Sequence, residues 1–126
     1  MSVFERLRNK QILLVDDDEW IRNSMSLLFE NEGCRLTAAG TAEEGLTMLK
    51  NQTFDIIITD YQLPGINGLE FLRRINTSQA DVPKILITAY GNASITSKAL
   101  ALGVKKVIEK PITTALIEKT LSGLIH

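Results

Sequence analysis

The sequence predicts an α/β protein built on a doubly wound, five-stranded parallel sheet with helices on both faces. Short apolar, β-branched runs alternate with amphipathic segments of helical period, and only short connections separate them. Strands and helices that alternate in this way form parallel sheets through right-handed crossovers. The chain has 126 residues, which is the size of one domain that buries its core without disulfides.

The first strand-helix unit follows a short N-terminal lead-in. Residues 1–10 are mostly polar, and we expect them to form a turn that packs loosely on the fold. Ile12–Val15 is predicted as a buried strand, and it runs into four consecutive acids that favour a helix start. A core-facing helix ending at Gly33 follows. Its apolar stripe has spacings of four, three and one residues and consists of Ile21, Met25, Leu28 and Phe29.

The second unit has the small and partly polar residues of a sheet edge. Arg35–Ala39 is predicted as this edge strand. Thr41 and Glu44 form a capping box, which begins a helix that extends through Leu46 and Leu49.

The third unit contains the strand around which the chain is organised. The run Phe54–Asp60 is apolar and β-branched and ends in a carboxylate. Proline and glycines within residues 64–68 then interrupt the regular backbone. Asn67, followed three residues later by Glu70, predicts the cap of a helix that spans Leu69–Ile75.

The last two units repeat this arrangement. Lys84–Thr88 is predicted as the fourth strand and Lys106–Glu109 as the fifth, which continues directly into Lys110 and Pro111. The helix after the fourth strand carries Ile95, Ala99 and Leu102 and stops at Gly103, and the last helix carries Leu116, Ile117, Leu121 and Leu124.

Five units suit the flavodoxin-like strand order 2-1-3-4-5, in which strands 1 and 3 flank the point where the order reverses. Ligands of such sheets bind at the carboxyl ends of the strands beside this point. The polar residues at the strand ends should therefore converge on one rim. They are Asp16 and Asp17 after strand 1, Asp60 at the end of strand 3, Thr88 at the end of strand 4 and Lys110 after strand 5.

Composition excludes several other kinds of site. The only histidine is His126, so a Ser-His-Asp triad, a Cys-His pair and a phosphohistidine relay lack their central residue. The formal net charge is -1 without a basic stripe, which argues against direct nucleic-acid binding. Cys34 is the only cysteine, and neither a signal peptide nor a long apolar run is present, so we expect a cytoplasmic protein without membrane insertion.

The rim residues predict a magnesium site with a nucleophilic aspartate. Oxygen ligands without histidine or cysteine select hard cations, and Mg²⁺ uses few carboxylates. We expect the ion between Asp17 and Asp60, with Asp16 holding a metal-bound water and the Gln62 carbonyl as a backbone ligand. A phosphoryl group on Asp60, the nucleophile, would meet Mg²⁺, the ammonium of Lys110 and the hydroxyl of Thr88.

These motifs resemble the response-regulator receiver domain of two-component signalling over essentially the whole chain, residues 1–126. The matching pieces are Val15-Asp16-Asp17, the segment from Asp60 to Gly68, Thr88-Ala89 and Lys110-Pro111. The resemblance implies that Asp60 accepts a phosphoryl group from a sensor histidine kinase or a histidine phosphotransfer protein. It also implies a switch in partner binding toward an output domain or effector protein, and no catalysis beyond the domain's own phosphorylation and dephosphorylation.

The resemblance assigns further roles and shows two departures. It implies a switch hydroxyl at Thr88 and a phosphate-sensing cation at Lys110, often before a cis proline bond. Asn67 stands where aspartate is frequent, which leaves helix capping intact. Val107 stands where receivers usually carry an aromatic side chain that moves inward on activation. We therefore expect the segment from Ala89 to Ile95, which includes Tyr90, to report the switch.

Trp20 begins the first long helix just past Asp17. A large indole at this position is often partly exposed. Our hypothesis is that Trp20 and Ile21 belong to the surface where the phosphodonor docks.

Two alternatives use the same fold class differently. A haloacid-dehalogenase-like phosphotransferase would use Asp16 and Asp18 as nucleophile and general acid, but it needs a longer chain and a small residue where Trp20 stands. A flavodoxin-like FMN protein would need a phosphate loop after the first strand, where acids would instead repel the phosphate.

Overall fold

The computed structural model describes residues 2–75, 79–89 and 91–124. Two residues considered above, Tyr90 and His126, lie outside these ranges. Within them the chain alternates strands and helices. The strands are β1 Gln11–Val15, β2 Arg35–Ala39, β3 Ile56–Asp60, β4 Lys84–Thr88 and β5 Lys106–Glu109. The helices are α1 Val3–Arg6, α2 Glu19–Asn31, α3 Ala42–Asn51, α4 Gly68–Arg73, α5 Ala93–Ala101 and α6 Thr114–Ser122.

The five strands form one parallel sheet in the order β2-β1-β3-β4-β5, which confirms the predicted topology. In the register of the sheet Val15 pairs with Thr59, Asp60 with Ile87, and Thr88 with Glu109. The carboxyl ends of β1, β3, β4 and β5 therefore lie side by side, as the predicted rim requires. Strand β2 lies at the edge and is only partly buried, also as predicted.

Alternating side chains divide the core into two layers. One layer lies under α1, α2 and α6 and includes Ile12 and Leu14. The other lies under α3, α4 and α5 and includes Leu13 and Val15. The central strands β3 and β4 are buried along their whole length, as expected for a sheet covered on both faces.

The prediction that residues 1–10 pack loosely is wrong for residues 3–7. Val3, Phe4 and Leu7 are buried, and the ring of Phe4 meets that of Phe29 edge-on at a centroid distance of 5.7 Å. Spacings of one and three residues place these three side chains on one face of α1, which contacts α6. The N-terminal turn is therefore part of the core.

Side chains cap the helices where the sequence indicated. The Thr41 hydroxyl accepts a 3.1 Å bond from the Glu44 N–H, and Asn67 Oδ1 accepts a 2.9 Å bond from the Glu70 N–H. The Glu44 carboxylate accepts from the N–H of Gly40, one residue before the predicted partner Thr41. Within the described ranges, none of the helices combines the length and apolar character required to cross a bilayer.

Candidate phosphoacceptor site

The predicted acidic residues meet at the carboxyl ends of β1 and β3. Carboxylate oxygens of Asp16, Asp17 and Asp60 all lie within 4.8 Å of one another. Asp16 and Asp60 are buried, whereas Asp17 is exposed to solvent. The site therefore has two carboxylates held below the surface and a third at its opening.

Lys110 connects the two buried carboxylates. Its Nζ lies 3.0 Å from Asp60 Oδ2, in a hydrogen-bonded ion pair, and 3.8 Å from Asp16 Oδ2. The main-chain N–H of Lys110 donates a 2.9 Å bond to the Thr88 carbonyl, and this bond fixes the start of the loop after β5. The bond between Lys110 and Pro111 is cis, as the resemblance implied.

Burial dominates the electrostatics of the two inner carboxyl groups. It raises the pKa of Asp16 to about 6, against the lowering effect of the hydrogen bond from the Asp18 N–H. It also raises the pKa of Asp60, although hydrogen bonds from the Lys110 ammonium and the Gln62 backbone oppose this. Burial alone would lower the pKa of Lys110, but the bond to Asp60 and the field of Asp16 raise it above its usual value.

The loop after β3 turns back on the phosphoacceptor candidate. The Gly68 N–H donates a 2.8 Å bond to the Tyr61 carbonyl. A Cβ atom at Gly68 would overlap the main-chain carbonyl of Asp60, so only glycine fits there. The loop carries Gln62, which lines a surface cleft together with Asp17. Gln62 therefore lies close to Asp17, and its backbone N–H bonds to Asp60.

Thr88 is the buried last residue of β4, next in the chain to Ile87, which pairs with Asp60. The structure thus brings all the predicted rim residues to one edge. Val107 is half-buried, pairs with Leu86 and packs against the core layer under α3, α4 and α5.

The oxygen donors fit a hard divalent cation. Asp16 Oδ2 is buried and has no hydrogen-bond partner among the described residues, although Lys110 is nearby. A buried carboxylate oxygen in this state is stabilised by a cation. The donors are carboxylate oxygens, which suits Mg²⁺ better than a softer metal.

Asp18 has a different role from its neighbours. Its Oδ1 accepts bonds from the N–H groups of Trp20 and Ile21 at 2.9 and 3.4 Å and so caps α2. Capping of α2 therefore accounts for the acid at position 18, and no catalytic role is needed to explain it.

Arg22 is a residue of the site region that the sequence analysis did not identify. Its Nη1 donates a 2.8 Å bond to the main-chain carbonyl of Asp16. Its position four residues after the acidic cap of a helix was a possible signal, but arginines on helix surfaces are common.

A doubly wound sheet with an acidic triad and a lysine at its switch point defines a receiver-type α/β domain. A family model described as "Response regulator receiver domain" matches residues 12–122. The chain therefore belongs to the response regulator receiver domain family of two-component signalling. The alternative of a haloacid-dehalogenase-like phosphotransferase using Asp16 and Asp18 is not supported.

Individual relatives agree with this assignment. The chain is 33% identical to "Chemotaxis protein CheY-3" of Vibrio cholerae over 124 residues, which cover 94% of each chain. It is 30% identical to "Transcriptional regulatory protein FixJ" of Bradyrhizobium diazoefficiens over 87% of this chain and 56% of that protein. It thus spans about half the length of FixJ.

A solved receiver structure has the same fold. It is the CheY-like response regulator receiver domain protein from Methanospirillum hungatei JF-1, with a TM-score of 0.84 and 34% identity. The similarity covers 91% of this chain and 93% of the other.

Proposed function

We propose that this receiver domain, spanning residues 1–126, accepts a phosphoryl group on Asp60 in a Mg²⁺-dependent reaction and changes its binding partners as a result. The observation that carries the proposal is the ion pair of 3.0 Å between Asp60 and Lys110, next to carboxylates that lie within 4.8 Å of one another. A nucleophile, a cation for the incoming phosphoryl group and a metal ligand set thus share one pocket.

In the proposed reaction a carboxylate oxygen of Asp60 attacks the phosphorus of a phosphohistidine on the donor protein. The new P–O bond forms as the P–N bond breaks, and the leaving imidazole takes up a proton from solvent. When bound by Asp16, Asp17, Asp60 and the Gln62 carbonyl, Mg²⁺ would neutralise charge on the phosphoryl oxygens. Lys110 then pairs with one phosphoryl oxygen, and the hydroxyl of Thr88 donates to another.

We propose that the donor is a sensor histidine kinase or a histidine phosphotransfer protein. Trp20 is 75% exposed at the start of α2, and an apolar groove runs beside it between α2 and the loop after β5. The groove is lined by Ile21, Met25 and Ile112, and it also reaches Lys110. A helix of the donor seated in this groove would bring its histidine toward Asp60.

We propose further that the domain acts in the cytoplasm and catalyses only its own phosphorylation and dephosphorylation. Its output passes to an attached domain or a separate effector protein. The net charge of -1 gives no support for direct nucleic-acid binding by this domain.

Intact-mass analysis after incubation with acetyl phosphate tests the reaction. We expect the wild-type chain to gain the mass of one phosphoryl group with Mg²⁺ present and none in EDTA. Asp60→Asn should gain none, whereas the control Asp81→Asn, at an exposed position outside the site, should react like wild type. A gain that survives Asp60→Asn, or that needs no divalent cation, would refute the proposal.

A further inference from the structure

Arg22 reaches from α2 back to the strand that carries the first carboxylate of the site. Its Nη1 donates a 2.8 Å hydrogen bond to the main-chain carbonyl of Asp16. The main-chain N–H of Arg22 donates a 3.0 Å bond to the carbonyl of Asp18, as part of the first turn of the helix. Arg22 therefore holds both ends of the short loop that contains Asp17.

Asp16 is held at two further points. Its N–H donates a 3.0 Å bond to the carbonyl of Ala39 on the neighbouring strand, and its Oδ1 accepts a 2.9 Å bond from the Asp18 N–H. Only Oδ2 lacks a hydrogen-bond partner among the described residues, and this atom lies 3.8 Å from Lys110 Nζ. Together with the bond from Arg22 to the main-chain carbonyl, these contacts fix Asp16 and leave its Oδ2 for a ligand.

The guanidinium of Arg22 is confined on its other side by the turn after β2. A Cβ atom at Gly40 would lie 3.2 Å from Arg22 Nη1, which is tighter than an ordinary contact, and 3.6 Å from Cζ. The Gly40 N–H donates a 2.9 Å bond to the Glu44 carboxylate, so this turn is itself anchored to α3. The absence of a side chain at Gly40 thus leaves the room that the guanidinium needs.

We propose that Arg22 is a positioning residue for the Mg²⁺ site. By fixing the main chain of Asp16, it sets where the carboxylates of Asp16 and Asp17 lie relative to Asp60. The inference rests on the metal site of the proposed function. Arginine suits this role because its planar group donates in a fixed direction, which the flexible ammonium of lysine does only in part.

Titration with Mg²⁺, followed by amide chemical shifts, measures the metal affinity without any phosphoryl transfer. We expect Arg22→Ala to weaken Mg²⁺ binding about tenfold, as is common when a partner that orients a ligand is lost. Arg22→Lys should recover part of the affinity, and Gly40→Ala should weaken binding less than Arg22→Ala. The control Arg35→Ala removes an exposed arginine at the far end of β2 and should bind like wild type.

The outcomes separate this inference from the metal site itself. A wild-type chain without Mg²⁺-dependent shifts would overturn both. If the wild-type chain binds Mg²⁺ and Arg22→Ala binds it equally well, only the role of Arg22 is overturned. The same holds if Arg22→Ala lowers the melting temperature in EDTA but leaves the affinity unchanged. If Arg22→Ala does not fold, Arg22→Lys and Gly40→Ala decide, and wild-type affinity in both would overturn the inference.

Discussion

Asp16 is the carboxyl group whose protonation the fold affects most clearly. It is fully buried, and burial raises its pKa from 3.8 to about 6. Between these two values the folded chain holds a proton that the unfolded chain releases. The free energy of unfolding of the metal-free chain therefore falls as pH rises through this window. At neutral pH the charged side chain costs about 3 kcal/mol.

Asp16→Asn should remove this cost. In EDTA we expect the variant to be more stable than wild type near neutral pH, by up to about 3 kcal/mol, and close to wild type at about pH 4. The asparagine Oδ1 can still accept the bond from the Asp18 N–H. Urea unfolding across this pH range measures the difference, and added Mg²⁺ should narrow it. If the difference in the free energy of unfolding between Asp16→Asn and wild type does not grow with pH, the raised pKa of Asp16 would be contradicted.

Single residues also show what could be read from the sequence. Asp60 and Lys110 were predictable because each lies where an apolar run ends, and the ends of parallel strands share one edge. Arg22 was not, because its partner is a main-chain carbonyl that only the folded loop presents. Lys84 was predicted only as a strand residue, yet its side chain is buried and bonded to three carbonyls.

Among the elements, the connection between β4 and α5 is the best candidate for reporting activation. Val107 is short and β-branched and has little reach. The connection includes Gly91, where a Cβ atom would overlap the Glu109 carboxylate, so it lies directly against β5. Asn92 then caps α5 by accepting a 2.8 Å bond from the Ile95 N–H. Tyr90, also expected to take part, lies outside the described residues.

We predict that activation shifts the segment from Ala89 to Ile95 while Val107 stays in place. Amide and methyl chemical shifts with and without beryllofluoride, which mimics a phosphoryl group on Asp60, provide the measurement. Val107→Ala should preserve the response and cost about 1 kcal/mol of lost contacts. A rotamer change at Val107 without movement of Ala89 to Ile95 would exclude this readout.

Gly45 lies within helix α3, where replacing glycine by alanine usually stabilises the helix. At this position we expect the opposite effect. A Cβ atom at Gly45 would lie 2.9 Å from Val15 Cγ2 and 3.0 Å from a ring carbon of Phe71. Alanine gains about 1 kcal/mol of helix propensity. Overpacking between β1 and α4 costs about 1–3 kcal/mol.

We therefore expect Gly45→Ala to lower the free energy of unfolding, which urea denaturation measures. Thr47→Ala, on the exposed face of the same helix, is the matched control and should change it little. Equal or greater stability of Gly45→Ala would show that α3 has room to move away from the sheet.

For the molecule as a whole, strand order and the site edge were predictable because alternating strands and helices allow few topologies. The role of the N-terminal turn was not, because three apolar residues in a polar stretch do not reveal that α6 lies beside them. The expected exposure of Trp20 is confirmed.

We predict that Trp20→Ala slows phosphoryl transfer from a donor protein more than transfer from acetyl phosphate. The small donor needs only the pocket around Asp60, whereas the protein donor also needs the groove beside α2. Leu100→Ala, at another exposed apolar side chain on α5, is the control and should affect neither donor. Equal slowing with both donors would show that Trp20 acts on the pocket and not on docking.

Lys84 has a consequence for chemical labelling. Its Nζ donates to the carbonyls of Gln79, Ala80 and Val82 at 3.1, 3.0 and 2.9 Å, so all three ammonium hydrogens are used. Burial lowers the pKa of this amine, so more of it would be in the reactive, unprotonated form if a reagent could reach it. An amine-acylating reagent should therefore modify exposed lysines of the native chain and spare Lys84. The rate at which Lys84 is acylated then measures how often the turn that precedes β4 opens.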